Sequence, residues 1–435
     1  MKTRIAALAV LAGLMPVLAA ANPVETVLHR FASRPRYGQP GPQDGGNPLA
    51  GFIVDPNGVL YGTTSTGGGA CGSNGSGCGA IYTLTPPAPG KIAWTKQMIA
   101  RFEDEGSYPS AALTFGPGGT LFGTTASGDT ADSINGTVFE LVPPVSPRTA
   151  WTKHILYRFT GASADGSHPV GRLLLGEDGA LYGTTQAGGE ANDGTIFKLA
   201  PPIPPKQAWK ATILHSFSGA DGASPLGGLT AISGGRLVGA ASSGGADGFG
   251  VIYAITPPVA PHVRWAEATL FAFTGYSTGF APQMVDLVAD TNGTLYGTTA
   301  SGGAGSAGTV FSLTPPAEPQ KTWTQTILYS FAGSADGATP YAGLTGDASG
   351  NLYGTTRNGG PAGFGTVYKL SPPPQPGGIW TETLLHSFAG GRDGSLPVAP
   401  VLVSGGSLYG STNEGGGNCP QWTADGCGTV FKVVP

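Results

Sequence analysis

The stretch LYGTT, residues 60–64, recurs seven times along this chain of 435 residues, unchanged or as a near variant. The copies are separated by 56 to 61 residues. A period of this length that covers nearly the whole chain indicates a repeat architecture and not one irregular domain. The second residues of the seven copies are Tyr61, Phe122, Tyr182, Val238, Tyr296, Tyr353 and Tyr409.

Each copy lies in a unit of four predicted β-strands, which we name a, b, c and d. Strand a is an apolar stretch, strand b is LYGTT itself, strand c has the pattern GTVF-x-L, and strand d has the pattern T-x-L-x-x-F after a Trp. Aromatic and β-branched residues around a Gly suit a strand with a close neighbour. The expected anchors of strand a are Phe52, Leu113, Leu173, Leu229, Leu287, Leu344 and, in the seventh unit, Pro400.

The phase of the repeat predicts a closed ring. A lone strand d, Glu25–Phe31, precedes the first a-b-c set, and the last set ends on a strand c. We therefore predict an all-β fold, a seven-bladed β-propeller of four-stranded antiparallel blades. It would form one domain over residues 22–435, and its last blade would combine residues 397–435 with residues 25–31. A linear β-solenoid is the alternative, but it would need no phase shift and should carry dedicated capping ends.

The first 21 residues have the pattern of a secretory signal peptide. Lys2 and Arg4 form a basic start, residues 5–18 are mostly apolar, and residues 19–21 are small. Such a segment is too short and wrongly flanked for a stable membrane span. We expect a secreted or periplasmic protein that is cleaved near Ala21 and has no transmembrane segment.

Composition and charge restrict the class of partner. The chain holds 74 Gly and 38 Pro, which fits many short strands and turns. Its net charge is −4 and it has no basic cluster, which argues against nucleic acid as a partner. The same lack of a basic cluster disfavours an anionic membrane surface. We expect a monomer.

The four cysteines fall in two close pairs, Cys71 with Cys78 and Cys419 with Cys427. Each pair follows strand b of its own repeat. In an exported protein this pattern predicts two local disulfides. A four-cysteine zinc site is the alternative, although the gaps of six and seven residues are wide for zinc and an oxidising compartment favours disulfides.

The unit of LYGTT, a Gly-Gly loop, GTVF-x-L and Thr-Pro-Pro resembles the GloVer repeat of the "choice-of-anchor" tandem-repeat proteins. The resemblance covers essentially the whole chain after residue 21. It implies an exported repeat protein of undefined activity, often fixed to the cell surface by a variable C-terminal module. This chain departs from that pattern, because it ends at Pro435 without a sorting tail. The resemblance supplies no catalytic residues.

The strand order assigns the d–a and b–c loops to one face, which we name the top face. The d–a loops carry a repeated DGxxP pattern, and a ring of carboxylates near the pore mouth could hold a cation or accept hydrogen bonds from sugar hydroxyls. The other interpretation is turn chemistry, because an Asp before Gly bonds its own backbone. The candidate ligand-binding acids are Asp44, Asp165, Asp221, Asp336 and Asp393, with Glu105 in the second repeat and Thr278 in place of the acid in the fifth.

Recognition is expected where the repeats differ. Trp422 is the one Trp outside the strand-d position, and it lies inside the predicted Cys419–Cys427 loop of the top face. It could stack on a sugar or on an apolar side chain, or it could plug its own loop. Glu190 and Arg357 are further loop-specific candidates for ligand binding.

No catalytic motif stands in its required context, and we predict neither a cofactor nor a metal site. His29, His215 and His386 share one strand-d position and therefore indicate a structural role. The leading hypothesis is a non-catalytic module that binds an extracellular or periplasmic glycan, peptide or cell-surface component. One alternative is a carbohydrate-active hydrolase or lyase with an acidic pair at the pore mouth. Another is a purely structural envelope or adhesion module.

Overall fold

A computed structural model of the chain describes residues 23–31, 44–68, 77–103, 106–128, 134–203, 208–317, 322–375, 377–417 and 427–435. These residues form seven four-stranded antiparallel sheets, each with its strands in the order a-b-c-d. The predicted all-β propeller with seven blades is therefore confirmed. The predicted signal peptide, residues 1–21, lies outside the described residues.

The blades are numbered 1 to 7 along the chain, and junction 3/4 denotes the interface between blades 3 and 4. Strand a spans Ile53–Val54, Thr114–Phe115, Leu174–Leu175, Thr230–Ala231, Val288–Ala289, Thr345–Gly346 and Leu402–Ser404. Strand b spans Leu60–Thr64, Leu121–Thr125, Leu181–Thr185, Leu237–Ala241, Leu295–Thr299, Leu352–Thr356 and Ser407–Thr412. Strand c spans Ala80–Thr85, Thr137–Val142, Thr195–Ala200, Val251–Thr256, Thr309–Thr314, Thr366–Ser371 and Thr429–Val434. Strand d of blades 1 to 6 spans Thr95–Arg101, Thr152–Arg158, Lys210–Ser216, Ala266–Ala272, Thr324–Ser330 and Thr381–Ser387.

Two other kinds of element occur among the described residues. Gly166–Ser167 pairs with Ala187–Gly188 as a short two-stranded sheet in the loops of blade 3. Pro117–Gly119 and Ser233–Gly235 are single 3-10 turns between strands a and b. Within the part of the chain that the structure describes, no helix is long and apolar enough to span a membrane.

The N-terminal strand closes the ring. Val24–Arg30 pairs antiparallel with Thr429–Val434 and so supplies strand d of blade 7. The register runs from Val24 opposite Val434 to Arg30 opposite Thr429. Backbone hydrogen bonds therefore join the two ends of the described chain, as the phase of the repeat predicted, and an open solenoid is excluded.

The first three residues of LYGTT fill the space between blades. In blade 1, Leu60 is buried and the ring of Tyr61 contacts Trp151 of blade 2, with centroids 6.4 Å apart. A Cβ atom on Gly62 would lie 2.7 Å from the hydroxyl oxygen of Tyr82 in strand c. Only Gly fits at this position, because real Cβ atoms do not approach other atoms so closely.

The two threonines of the motif make lateral hydrogen bonds. Thr184 of blade 3 donates its hydroxyl to the carbonyl oxygen of Gly227 in blade 4, at 2.8 Å. Thr185 bonds Thr195 of its own strand c through the two hydroxyl oxygens, 2.8 Å apart. One threonine thus links neighbouring blades and the other links strands b and c. This division of roles explains why the motif recurs in almost every unit.

Each junction contains a hydrophobic cluster centred on the Phe that follows strand d. Phe31, Phe217 and Phe388 are at most 1% exposed. The seventh unit corrects one predicted register: Val401, not Pro400, takes the anchor position, since it is 1% exposed and its carbonyl accepts a hydrogen bond from Thr345 as the carbonyl of Leu287 does from Thr230.

Strand d carries a one-residue irregularity in every blade. In blade 7 the pairing register shifts between Val27 and His29. Because side chains alternate along a strand, a single extra residue places the parts before and after it on opposite faces. Glu25 consequently approaches His386 of blade 6, whereas His29 approaches Lys96 and the other residues of junction 7/1.

Candidate ligand-binding face

Seven residues on the top face share an unusual backbone conformation. Each lies directly before the proline of a d–a loop and has a φ between 52° and 58°. Residues other than Gly rarely adopt this left-handed region, and a β-branched residue there is strained. We name them the ring residues: Asn47, Tyr108, His168, Ser224, Ala281, Thr339 and Leu396.

Two backbone hydrogen bonds hold every ring residue between neighbouring blades. The N–H of His168 donates to the carbonyl oxygen of Asn135 in blade 2, at 2.8 Å. The carbonyl oxygen of His168 accepts from the N–H of Gln186 in blade 3, at 3.0 Å. The same pair of bonds occurs at all seven ring residues. Backbone groups alone therefore supply two hydrogen bonds at every ring position.

The side chains of the ring residues differ in chemistry and reach solvent. All seven are exposed or half-buried, whereas the prolines that follow them are buried. Tyr108 is 42% exposed. One repeated backbone position therefore presents seven different side chains on one face.

An aromatic patch lies beside the ring, in the b–c loop of blade 4 and in the d–a loop that joins blades 4 and 5. We define it as Phe249, Tyr276 and Phe280. Phe280 contacts the other two rings with centroids 5.3 Å and 5.4 Å apart, and Tyr276 is 67% exposed. Sequence reasoning missed this patch, although Phe280 stands where five other repeats have Gly, Ser or Ala after Asp-Gly.

The axial cavity is lined by the residues that precede strand a and is narrow. Water can occupy ≈ 40 Å³ of it, which is room for roughly three molecules at most. Inside it, Arg172 Nε lies 3.2 Å from Asp286 Oδ2, and Asp286 Oδ1 accepts from the N–H of Gly228 at 2.6 Å. This pair was also missed from sequence, although the other repeats have Gly, Ala or Pro at the same position.

The predicted ring of carboxylates lies at the blade junctions, and its members do not line the axial cavity. The acids accept hydrogen bonds from their own turns: Asp165 from the N–H of Thr160 at 2.8 Å, and Asp393 from the N–H of Ala389 at 2.7 Å. These bonds support the interpretation that each Asp stabilises the backbone of its own turn. Ligand binding by these acids stays a prediction.

The same acids belong to clusters that connect neighbouring blades. A junction cluster consists of a strand-d residue of one blade, the acid of the following loop, and the second residue of strand d in the next blade. The described examples are His29, Asp44 and Lys96 at junction 7/1; His215, Asp221 and Glu267 at 3/4; Tyr329, Asp336 and Glu382 at 5/6; and His386, Asp393 and Glu25 at 6/7.

The charge of the third residue changes the electrostatics of the cluster. Burial alone would raise the pKa of Asp44, but hydrogen bonds from His29 and Lys96 outweigh it and lower this pKa to about 2. Burial, followed by the nearby carboxylate of Asp336, raises the pKa of Glu382 to about 7. Two clusters built on the same backbone therefore favour a charged and a neutral carboxyl group, respectively.

The remaining predicted residues are spread over the top loops. Glu190 is exposed, and the guanidinium of Arg357 lies 5.7 Å from the centroid of the Tyr341 ring. Cys78 and Cys427 are buried and are not free thiols. Their predicted partners, Cys71 and Cys419, lie outside the described residues, as do Trp422 and Glu105, so the disulfide pairing and the role of Trp422 stay predictions.

Comparison with known proteins shows the family. The repeat described as "Gloeobacter/Verrucomicrobia repeat" matches residues 21–210, 70–288 and 203–431. The chain therefore belongs to this repeat family, as the resemblance to the GloVer repeat predicted. No curated protein sequence matches the chain.

Solved structures similar to this chain include two proteins of distant sequence. One is the PQQ-bound form of an aldose sugar dehydrogenase from Streptomyces coelicolor, with 14% identity, a TM-score of 0.41, and coverage of 95% of this chain and 99% of that one. The other is described as a 6-phosphogluconolactonase from Bacteroides uniformis, with 14% identity, a TM-score of 0.48, and coverage of 77% and 84%. We draw no conclusion about this chain from similarity at this level.

Proposed function

We propose that the protein is an exported, non-catalytic binding module whose top face recognises an extracellular oligosaccharide, a peptide or another cell-surface component. The ring residues carry this proposal. The residue directly before strand c also has a positive φ, and it is Gly in every repeat, for example Gly79 and Gly136. At the ring the chain instead keeps seven different side chains in a conformation that favours Gly.

Retaining these side chains has a cost. A residue other than Gly in a sparsely populated region of φ and ψ is destabilised by roughly 1–3 kcal/mol, and such strain is concentrated at functional sites. Two backbone hydrogen bonds hold each ring residue, so the backbone of five of the seven is fixed without a side-chain hydrogen bond to another loop of the described chain. The side chains of Asn47 and Thr339 do bond neighbouring loop residues and therefore also have a structural role. A role in contacting a ligand gives a reason for keeping the other five side chains.

The aromatic patch adds a surface suited to stacking. Tyr276 is exposed and is supported from below by Phe280, so it presents a rigid apolar ring with a polar hydroxyl at its edge. Such a ring can cover one face of a sugar or an apolar side chain of a peptide. Trp422, predicted from sequence to be a stacking residue, is the second candidate for this role.

The geometry of the axial cavity favours binding over hydrolysis. A glycosidase needs two carboxyl groups, about 5–10 Å apart, around a bound sugar. The charged pair in the cavity is an Arg with an Asp, and the cavity holds only a few waters. The carbohydrate-active alternative therefore lacks support at the pore, and the top loops are the better candidate surface.

The proposal is tested by screening the mature protein against oligosaccharide and peptide arrays and measuring each positive by calorimetry. We expect Tyr276→Ala to weaken binding about 5–30-fold, the loss of about 1–2 kcal/mol found for aromatic anchors. His168→Ala and Trp422→Ala probe the ring and the predicted loop. The matched control is Ile92→Ala, since Ile92 is 95% exposed in a c–d linker of the opposite face.

Two outcomes would overturn the proposal. Turnover of an oligosaccharide hit would establish an enzyme in place of a binding module. A ligand whose affinity is unchanged by all three top-face variants, or is lost in Ile92→Ala, would place recognition on another surface.

A further inference from the structure

Two junction clusters bring a His, an Asp and a Glu together. One consists of His215, Asp221 and Glu267, and the other of His386, Asp393 and Glu25. In each cluster the three candidate ligand atoms lie within 4.8 Å of one another. We propose that each of these clusters binds a divalent transition-metal ion of the zinc type, which ties strand d of one blade to strand d of the next.

The His and Asp donor atoms of each cluster lie close to the spacing that zinc requires, and the Glu oxygen lies within 4.8 Å of both. His215 Nε2 lies 2.9 Å from Asp221 Oδ2, and His386 Nε2 lies 3.3 Å from Asp393 Oδ2. Two ligands at 2.0–2.1 Å from a tetrahedral zinc are about 3.3 Å apart. An imidazole and two carboxylates form a set of three protein ligands, and water can take the fourth position.

The carboxylate of Asp221 is held in place by its own turn. Its Oδ1 atom accepts from the N–H of Ser218 at 2.8 Å and from the hydroxyl of Ser218 at 3.1 Å. Oδ2 is the atom that faces His215. Hydrogen bonds of this kind orient a metal ligand and raise the affinity of the site.

Junction 7/1 provides an independent observation that a cation belongs at this place. There the second residue of strand d is Lys96, and its Nζ lies 2.6 Å from Asp44 Oδ1. The chain itself thus supplies positive charge next to the His and the Asp. Glu267 and Glu25 occupy the equivalent place in the two proposed sites and add a negative charge instead. Two carboxylates so close repel each other unless a cation or a proton lies between them.

A buried oxygen at junction 6/7 supports the same conclusion. Glu25 Oε1 is inaccessible to solvent and has no hydrogen-bond partner among the described residues. Glu382 Oε1 at junction 5/6 is in the same state, so the His is what distinguishes junction 6/7 from junction 5/6. A buried carboxylate oxygen without a partner is costly, and coordination of a metal ion would remove that cost. The positive charge of Arg30 acts on the carboxyl groups of both Glu25 and Asp393. Because it would repel a bound cation, we expect weaker metal binding here than at junction 3/4.

Junction 5/6 serves as an internal control. It has the acids Asp336 and Glu382, but Tyr329 replaces the His and donates its hydroxyl to Asp336 at 2.9 Å. A protonated phenol is a poor ligand for zinc compared with imidazole. We therefore expect no metal ion at this junction.

The test is a metal titration of the full chain, purified without a histidine tag and treated with EDTA. Zn²⁺ binding is measured by calorimetry, and Co²⁺ binding by the visible absorption of four-coordinate cobalt. We expect two ions per chain, one for each cluster. Glu267→Lys and Glu25→Lys rebuild the pattern of junction 7/1, so each should remove one ion without loss of folding.

A variant that should gain a metal ion gives the more specific test. Tyr329→His places the third ligand at junction 5/6 and should add one ion to the stoichiometry. Absence of saturable Zn²⁺ or Co²⁺ binding would overturn the proposal, and so would a stoichiometry that is unchanged in the double Lys variant. Because thermal unfolding in EDTA reports folding separately, a Lys variant that fails to fold is replaced in the test by His215→Tyr.

Discussion

Junctions 7/1 and 3/4 share nearly the same packing. Phe31 contacts Tyr82 with ring centroids 5.3 Å apart, and Phe217 contacts Tyr253 at 5.0 Å. The His before each Phe lies edge-on to it, at 4.9 Å and 4.8 Å. In the outer cluster the two junctions differ in one side chain, Lys96 against Glu267. The core also differs, for example at the strand-a anchors Phe52 and Leu229, and the two strands d differ in origin. At junction 7/1 that strand comes from the N-terminal end of the chain.

The difference shows which part of a junction is constrained. The inner aromatic layer is buried and must fill a fixed volume, so its residues are alike in both junctions. The outer layer is partly exposed, and the same backbone there accepts a positive or a negative residue. Charge can therefore vary between junctions while the fold stays unchanged.

Removal of residues 24–30 should have the largest effect, because it leaves blade 7 with three strands and an unpaired edge. We expect aggregation or a large fall in Tm, measured by calorimetry and size-exclusion chromatography. The control is a chain that begins at residue 23. A truncated protein as stable as this control would contradict closure through the N-terminal strand.

Phe31→Ala and Phe217→Ala compare the two inner layers directly. Both side chains are at most 1% exposed, so each change should lower the free energy of unfolding by roughly 3–5 kcal/mol. Urea unfolding measures the loss, and Phe388→Ala should behave in the same way. A cost below about 1 kcal/mol at one junction only would show that the layers are not equivalent.

Lys96→Met tests the outer layer of junction 7/1. It removes the ammonium that bonds Asp44, and we expect a loss of about 1.5–3 kcal/mol at neutral pH, the range for a hydrogen bond to a charged group. Glu267→Met removes a carboxylate from junction 3/4, so in EDTA it should leave stability unchanged or raise it. Equal destabilisation by the two variants would mean that packing of the methylene groups, and not charge, dominates this layer.

Glu382→Gln at junction 5/6 should have the smallest effect, and one that depends on pH. The pKa of Glu382 is raised from 4.5 to about 7, so the folded state favours the protonated form. The resulting stability is fully present below pH 4.5 and is lost as the pH rises through 7. The variant should match the wild type in acid and exceed it at pH 8, by at most about 1 kcal/mol because the group is half exposed.

Thermal unfolding at pH 4 and pH 8 measures this difference. The control is Glu177→Gln, a change in an exposed turn between strands a and b. A wild type that is more stable at pH 8 than Glu382→Gln would reverse the sign of the effect and contradict the raised pKa.

The fold was predictable because every residue of LYGTT has a structural role that repeats. The leucine is buried, the Gly makes room for an aromatic ring, and the threonines link strands and blades. A motif whose positions are all constrained in this way shows its period in the sequence. Strand order and closure then follow from the order of the segments.

The junction clusters were not predictable, because they depend on the irregularity in strand d. Without the register shift, Glu25 and His29 would lie on the same face of blade 7. The shift sends them to different neighbours, and no residue type in the strand marks it. Arg172 and Phe280, by contrast, break the repeat visibly, and comparing the copies position by position would have found them.

The pairing of Val24 with Val434 has a consequence for circular permutation. Strands c and d of blade 4 are joined by residues 257–265, and a linker of that length between Val434 and Val24 would make blade 7 resemble the other six. A chain reopened at residues 257–265 would then close its ring at blade 4. Comparing such permutants would separate the intrinsic stability of a junction from the effect of the chain break that it contains.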